Sequence, residues 1–256
     1  MGTGAITGYI DVAQIALYVF WIFFAGLIYY LRKEDKREGY PLITDGLTTG
    51  RTEGWPPMPA PKTFLLPHGG TVIAPRPEDP QPAFDAEPVA PWPGAPMQPI
   101  GNGLLSGAGP AASALRADTP DLTVTTSLPR VVPLRVLEDH GLDEESPDPR
   151  TMEAVGADGV VGGVVTDLWI DRSEMLVRYL EVTLAAGPSV LVPMPLVRID
   201  TTAGQVVVQS ILGAQFQDAP NLASPDVVTL REEDRIAAYY ASGNLFAEPD
   251  RAEPYL

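Results

Sequence analysis

The sequence predicts a single N-terminal transmembrane helix, an extended Pro-rich segment, and a mainly-β domain of the small antiparallel-barrel type with one C-terminal helix. Three observations carry this reading. Val12 to Leu31 is a run of 20 residues without a charge. Half of the 28 prolines fall between Pro56 and Pro99. From Gly159 onward, short runs of Val, Ile and Leu alternate with turn residues.

At ~1.5 Å per residue, a helix over residues 12–31 covers ~30 Å, the hydrocarbon thickness of a bilayer. Its one strongly polar side chain is Gln14, so it lacks the polar face of a soluble helix. No Lys or Arg precedes it, whereas Arg32, Lys33, Lys36 and Arg37 follow at once. Positive charge stays on the cytoplasmic side, which places residues 1–11 outside and the long C-terminal part in the cytoplasm. A cleaved secretory signal needs a basic start, a shorter apolar stretch and small residues at the cleavage site; here the charges are reversed. Tyr29 and Tyr30 fall at the inner interface, where amphipathic rings sit well. Arg32 and Lys33, with Lys36 and Arg37, are placed either to hold anionic lipid headgroups or to set topology.

The formal charge of −16 lies almost entirely beyond the apolar run. Such a surface repels nucleic acid, which excludes that class of partner. With no Cys, there is neither a disulfide nor a thiol nucleophile. Only His68 and His140 are present, each in a Pro- or acid-rich neighbourhood, so no His-based metal site is expected.

Residues 32–110 read as an extended, surface-lying Pro/Gly-rich segment. Proline removes backbone donors and forbids helix interiors and central strands, so few internal hydrogen bonds are expected there. The stretch Lys62-Thr63-Phe64-Leu65-Leu66-Pro67, with Trp55 and Trp92, is too apolar for a plain spacer and favours a strap lying on a partner. Residues 111–256 read as the β domain. Glu138 to Pro149 is an exposed acidic loop. Strands are expected over 160–170, 176–184, 190–192, 196–200 and 205–209, and their tight turns favour antiparallel pairing. A helix is expected near 230–242: Thr229 and Glu232 form a capping box, Gly243 ends it, and Ile236, Tyr239 and Tyr240 face the barrel.

Candidate chemistry is sparse. Asp171, Glu174 and Arg178 stand at i, i+3 and i+7 and converge if the intervening piece turns helically; taken alone they read as a solvated hairpin tip. A hydrolase built on Glu232 and Asp234 fails, because two residues apart on a helix is about 200° around the axis.

Several blocks resemble one family. Residues 16–31, Arg37-Glu38-Gly39-Tyr40-Pro41-Leu42 and Pro61 to Gly69 closely resemble the H subunit of the purple bacterial photosynthetic reaction centre. So do Asp167 to Asp171, Arg178 to Val182, and Leu230 to Ile236, in the same order. The stretch 138–158 matches poorly. The resemblance implies a PRC-barrel-type cytoplasmic domain anchored in the bacterial inner (intracytoplasmic) membrane, with residues 1–11 periplasmic. It implies no cofactor on this chain and no catalysis by it. Bacteriochlorophyll, bacteriopheophytin, quinones and a non-haem iron belong to the partner L and M subunits. A light-harvesting 1 ring and a cytochrome subunit are expected in the wider complex, together with membrane lipids. The implied role is to stabilise the L/M core and to conduct protons to the secondary quinone.

On that resemblance Glu174 is the relay carboxylate closest to the quinone, Asp171 a second carrier, and Arg178 the partner that tunes both. One departure matters. Where the family carries an Asp and two His at the mouth of the proton path, Thr123, Thr125 and Ser127 stand here. Hydroxyls pass a proton but do not hold it near pH 7. Asp118 and Asp121 are then the nearby candidates, and divalent-metal binding at that mouth is expected to be lost. The other reading is a membrane-anchored PRC-barrel adaptor unrelated to photochemistry.

Overall fold

The computed structural model describes residues 4–7, 10–44, 50–67, 69–76, 84–92, 94–138 and 140–252. His68 lies outside them. The chain divides into two units: Met1–Pro80 with Trp92–Gly94, and Gln81–Pro91 with Ala95–Leu256.

The first unit is led by α1, Val12–Asp35. Asp11 caps it, its carboxylate accepting from the Gln14 amide at 2.8 Å. The helix runs one turn past the uncharged run, because Arg32 and Lys33 suit the negative end of the helix dipole. Two short antiparallel ribbons follow: β1 (Leu42–Thr44) with β2 (Gly50–Thr52), and β3 (Lys62–Leu65) with β4 (Thr71–Ala74). The Pro-rich segment is therefore less bare of hydrogen bonds than expected. Proline is excluded from central strands, and a two-stranded ribbon has none.

Two of the four basic residues after the apolar run do not face lipid. Lys36 is buried, its ammonium donating to the carbonyls of Glu53 and Pro56 and lying 5.3 Å from the Tyr40 ring centre. Arg37 pairs with Glu34 at 2.8 Å and donates to the carbonyls of Ala60 and Ala74. A backbone starved of amide donors by proline offers spare carbonyls, and these cations take them.

The second unit holds a small ribbon, β5 (Ala86–Pro88) with β6 (Met97–Pro99), and one seven-stranded sheet. The sheet strands are β7 (Val131–Pro133), β8 (Glu153–Gly156), β9 (Val161–Asp171), β10 (Leu176–Leu184), β11 (Ser189–Pro193), β12 (Val197–Asp200) and β13 (Gln205–Val208). Their order is β11-β10-β9-β8-β13-β12, with β7 added along β9. The five expected strands are present. β7 and β8 escape sequence reading because they are short and lie beside proline or acidic residues. Contrary to the antiparallel expectation, β8 and β13 run parallel. Four intervening strands give the chain length that such a crossover requires. A short 3₁₀ turn, Met194–Leu196, joins β11 to β12 at the two ends of the path, and among the described residues no ladder pairs them.

The core lies between the curled sheet and α2, Leu230–Phe246. Trp169, Leu180, Val182, Val192 and Phe216 are wholly buried with Ile236 and Tyr240, and Tyr239 is nearly so. The capping box forms as expected: Thr229 Oγ1 accepts from the Glu232 amide, and the Glu232 carboxylate accepts from the Thr229 amide. Gly243, however, does not end the helix, which continues to Phe246. A Cβ there would lie 2.1 Å from the Ser210 carbonyl oxygen. The glycine lets the helix touch the backbone it packs on, a demand that sequence pattern does not distinguish from a cap.

Candidate functional site

Asp171 closes β9, and a four-residue turn, 172–175, returns the chain into β10. The Asp171 carboxylate accepts from the amides of Ser173 and Glu174 at 2.9 and 3.0 Å. This Asx-type turn is a local habit of aspartate. Met175 sits at φ 54°, an uncommon place for a non-glycine residue and one found near functional surfaces. Arg178 falls at a register shift between Val177 and Tyr179. A bulge re-aims its side chain, and both Nε and Nη2 donate to Asp171 Oδ2 at 3.1 Å. The trio thus converges through a hairpin and a bulge rather than through the expected helical turn.

The centre of the cluster is a residue sequence reading missed. Arg130, just before β7, lies 2.9 Å from Asp171, 2.6 Å from Glu174 and 3.3 Å from Asp121. The only sequence signal for it was its place between Pro129 and an apolar pair. The pairing of Val131 with Asp171 delivers it, and the Arg172 amide donates to the Arg130 carbonyl at 2.9 Å.

Electrostatics divide these carboxylates. The Asp171 side chain is fully buried, while that of Glu174 is 49% exposed. Burial works to raise the Asp171 carboxyl, but Arg130, the two turn amides and Arg178 outweigh it and hold it at about 2. Arg130 is pushed further up, chiefly by its hydrogen bond to Asp171.

Glu233, in the first turn of α2, behaves oppositely. Burial raises its carboxyl, although it accepts a hydrogen bond from the Tyr179 hydroxyl at 3.0 Å. Asp121, Arg130, Asp171, Arg178, Tyr179 and Glu233 share one cleft of about 330 Å³. Local sequence shows Glu233 only as an acidic residue in the first turn of a helix, with no sign that it faces this cleft.

Asp118 is not in this cluster. It accepts from Thr229 Oγ1 at 2.9 Å and pairs with Arg231 at 3.2 Å, at the start of α2. Thr123 is buried against Thr126, their hydroxyl oxygens 2.6 Å apart, and Ser127 has a φ of 54°. Glu232 and Asp234 diverge: the first serves the cap and the Ala223 amide, the second the Ala114 amide. His140 borders a separate cavity of about 670 Å³. There Arg135 is satisfied by Asp167, Glu181 and Asp226. At the membrane end, Arg32 donates to the Tyr40 hydroxyl at 3.0 Å. Tyr29 packs on Trp55, Lys62 lies over the Tyr30 ring, and Lys33 is half-buried. Among the described residues, no group of three or more His, Asp or Glu is gathered to hold a metal.

An apolar helix long enough to cross a membrane and a sheet with a charged cleft define a class: a β-domain protein led by a candidate N-terminal anchor. Residues 143–215 match the PRC-barrel domain family, the segment that carries β8 to β13. Residues 4–136 match the photosynthetic reaction centre H-chain, N-terminal region. That match takes in just over half of the chain, from the anchor helix through Arg130 and β7. The chain belongs to the photosynthetic reaction centre H-chain family. It is a membrane-anchored subunit that associates with the core subunits of a reaction centre.

Proposed function

We propose that this subunit covers the cytoplasmic face of the pigment- and quinone-bearing L and M subunits, steadies them, and carries protons toward the secondary quinone. In this reading the chain binds no pigment, quinone or iron itself and catalyses nothing alone. A light-harvesting ring and a cytochrome subunit complete the wider assembly.

The observation that carries the proposal is the division of labour around Asp171. A proton relay needs carboxyls within reach of water or partner beside charges that stay fixed. Asp171, held at about 2, is the fixed anion that orients Arg130 and Arg178. Glu174, half exposed on the turn, is the carrier that leaves the cluster for the partner. Glu233, raised by burial in the same cleft, is the second. Asp121 and Asp118 supply negative charge on the solvent side, where hydroxyls stand in place of the family's histidines.

Gentle purification of the tagged chain with its membrane partners tests the assembly: near-infrared-absorbing pigment is expected to co-isolate. Within that complex, Glu174→Gln and Glu233→Gln are expected to slow flash-induced proton uptake at the second reduction by about tenfold or more. Primary charge separation stays unchanged. Normal uptake in both variants removes the cluster from the proton path.

A further inference from the structure

The uncharged run of α1 carries three hydrogen-bonding side chains before Tyr29: Gln14, Tyr18 and Trp21. With about 100° between successive residues, these three and Ala25 fall within an arc of about 60°. Before Tyr29 the opposite arc holds Val12, Ala16, Val19 and Phe23, with no polar side chain; Tyr30 joins that side only at the end of the run. Tyr18 and Trp21 are 54% and 55% exposed. Among the described residues, none of the three polar side chains has a hydrogen-bond partner.

Depth makes this alignment informative. Trp21 lies about 14 Å from the nearer end of the uncharged run, beyond reach of either headgroup layer. Tryptophan ordinarily gathers at the interfaces, where its N–H meets water. Edge-to-face contacts with Phe20 and Phe24 account for the Trp21 ring but leave the indole N–H unmet. In hydrocarbon an unmet donor is costly, and polar side chains inside membranes turn toward protein. Ala25, one turn further on, allows close approach on the same line.

We propose that the Gln14–Tyr18–Trp21–Ala25 seam is the face α1 turns to a transmembrane helix of a core subunit, with the Trp21 indole donating to an acceptor on that helix. The Ala16–Val19–Phe23 face is left to lipid. The proposal rests on the subunit reading above, and it names the residues that make the grip.

The test places p-benzoylphenylalanine singly at positions 14, 18, 21 and 25, and at 16, 19 and 23, in the intact membrane complex. Seam positions are expected to cross-link to a core subunit several-fold more than the opposite face, which takes lipid. Equal yields on both faces, maxima at 16, 19 and 23, or cross-links only to lipid or to a second copy of this chain overturn the seam. Trp21→Phe keeps an aromatic ring, though a smaller one, and removes the N–H donor. It is expected to lower the detergent concentration at which the chain leaves the core, whereas Phe23→Leu does not. Equal release of both variants overturns the indole contact. Pigment that still co-isolates when the seam fails leaves the subunit reading standing; absence of pigment with the unaltered chain removes both.

Discussion

Arg130 has three carboxylates to serve, and only Asp171 among them is cut off from water. Removing the guanidinium leaves a buried charge with Arg178 and two amides as its remaining support. Arg130→Met is expected to destabilise the β domain by about 2–3 kcal/mol, below the full cost of stranding a buried ion because Arg178 remains. Thermal melting of the detergent-solubilised protein checks this. The pH dependence follows from the same residue. Asp171 is lowered from 3.8 to about 2 on folding. The stability it contributes is therefore complete above about pH 4 and is lost as pH falls through about 2. Asp171→Asn is expected to be less stable than the parent at pH 6 and to lose less on acidification between those values. Glu233 has the opposite sign. Its raised carboxyl adds most stability below the ordinary glutamate value and loses it as pH rises through the folded one. Glu233→Gln should then hold its stability as pH climbs where the parent declines.

Among the elements, α2 and the β9–β10 hairpin are the two on which the cleft depends. Gly243 lies in the last turn of α2, inside the helix, where alanine ordinarily gains up to about 1 kcal/mol. Here the new methyl would meet the Ser210 carbonyl at 2.1 Å, and backbone does not give way as a side-chain tip does. Gly243→Ala is thus expected to destabilise by about 1–3 kcal/mol, an overpacking cost, measured by denaturant unfolding. The segment 121–129 closes on itself through the Thr123 amide to the Leu128 carbonyl and the Leu122–Pro129 bridge. Its side chains at 123, 125 and 127 are hydroxyls. Hydroxyls are weak zinc ligands beside imidazole, so submicromolar zinc is expected to leave proton uptake in the complex unchanged. Inhibition at that concentration, abolished by substitutions confined to 121–127, would contradict the loss of the metal site.

For the whole molecule, the charge asymmetry about α1 predicts which side of the membrane holds the β domain. Protease added to sealed vesicles should digest residues beyond α1 only where the cytoplasmic face is exposed; protection there reverses the topology. The anchor, five strands and the capped helix could be read from local pattern, since a bilayer-length apolar run, short Val/Ile/Leu runs between turn residues and a Thr229–Glu232 box each act within a few residues of chain. Membership of the family was legible for the same reason, in blocks such as Arg37 to Leu42 and Asp167 to Asp171. The hairpin trio could be nominated from its spacing, but not the way it closes. Arg130 stands 41 residues from Asp171, and Glu233 reaches Tyr179 from 54 residues away. Which strand runs beside β9, where Gly243 meets its neighbour, and which carboxyl is buried or solvated depend on packing across those distances. Local sequence determined what this chain is made of and where it is tethered; only the tertiary structure decided which charges share a low-dielectric cleft, because burial and long-range pairing are properties of neighbours in space rather than along the chain.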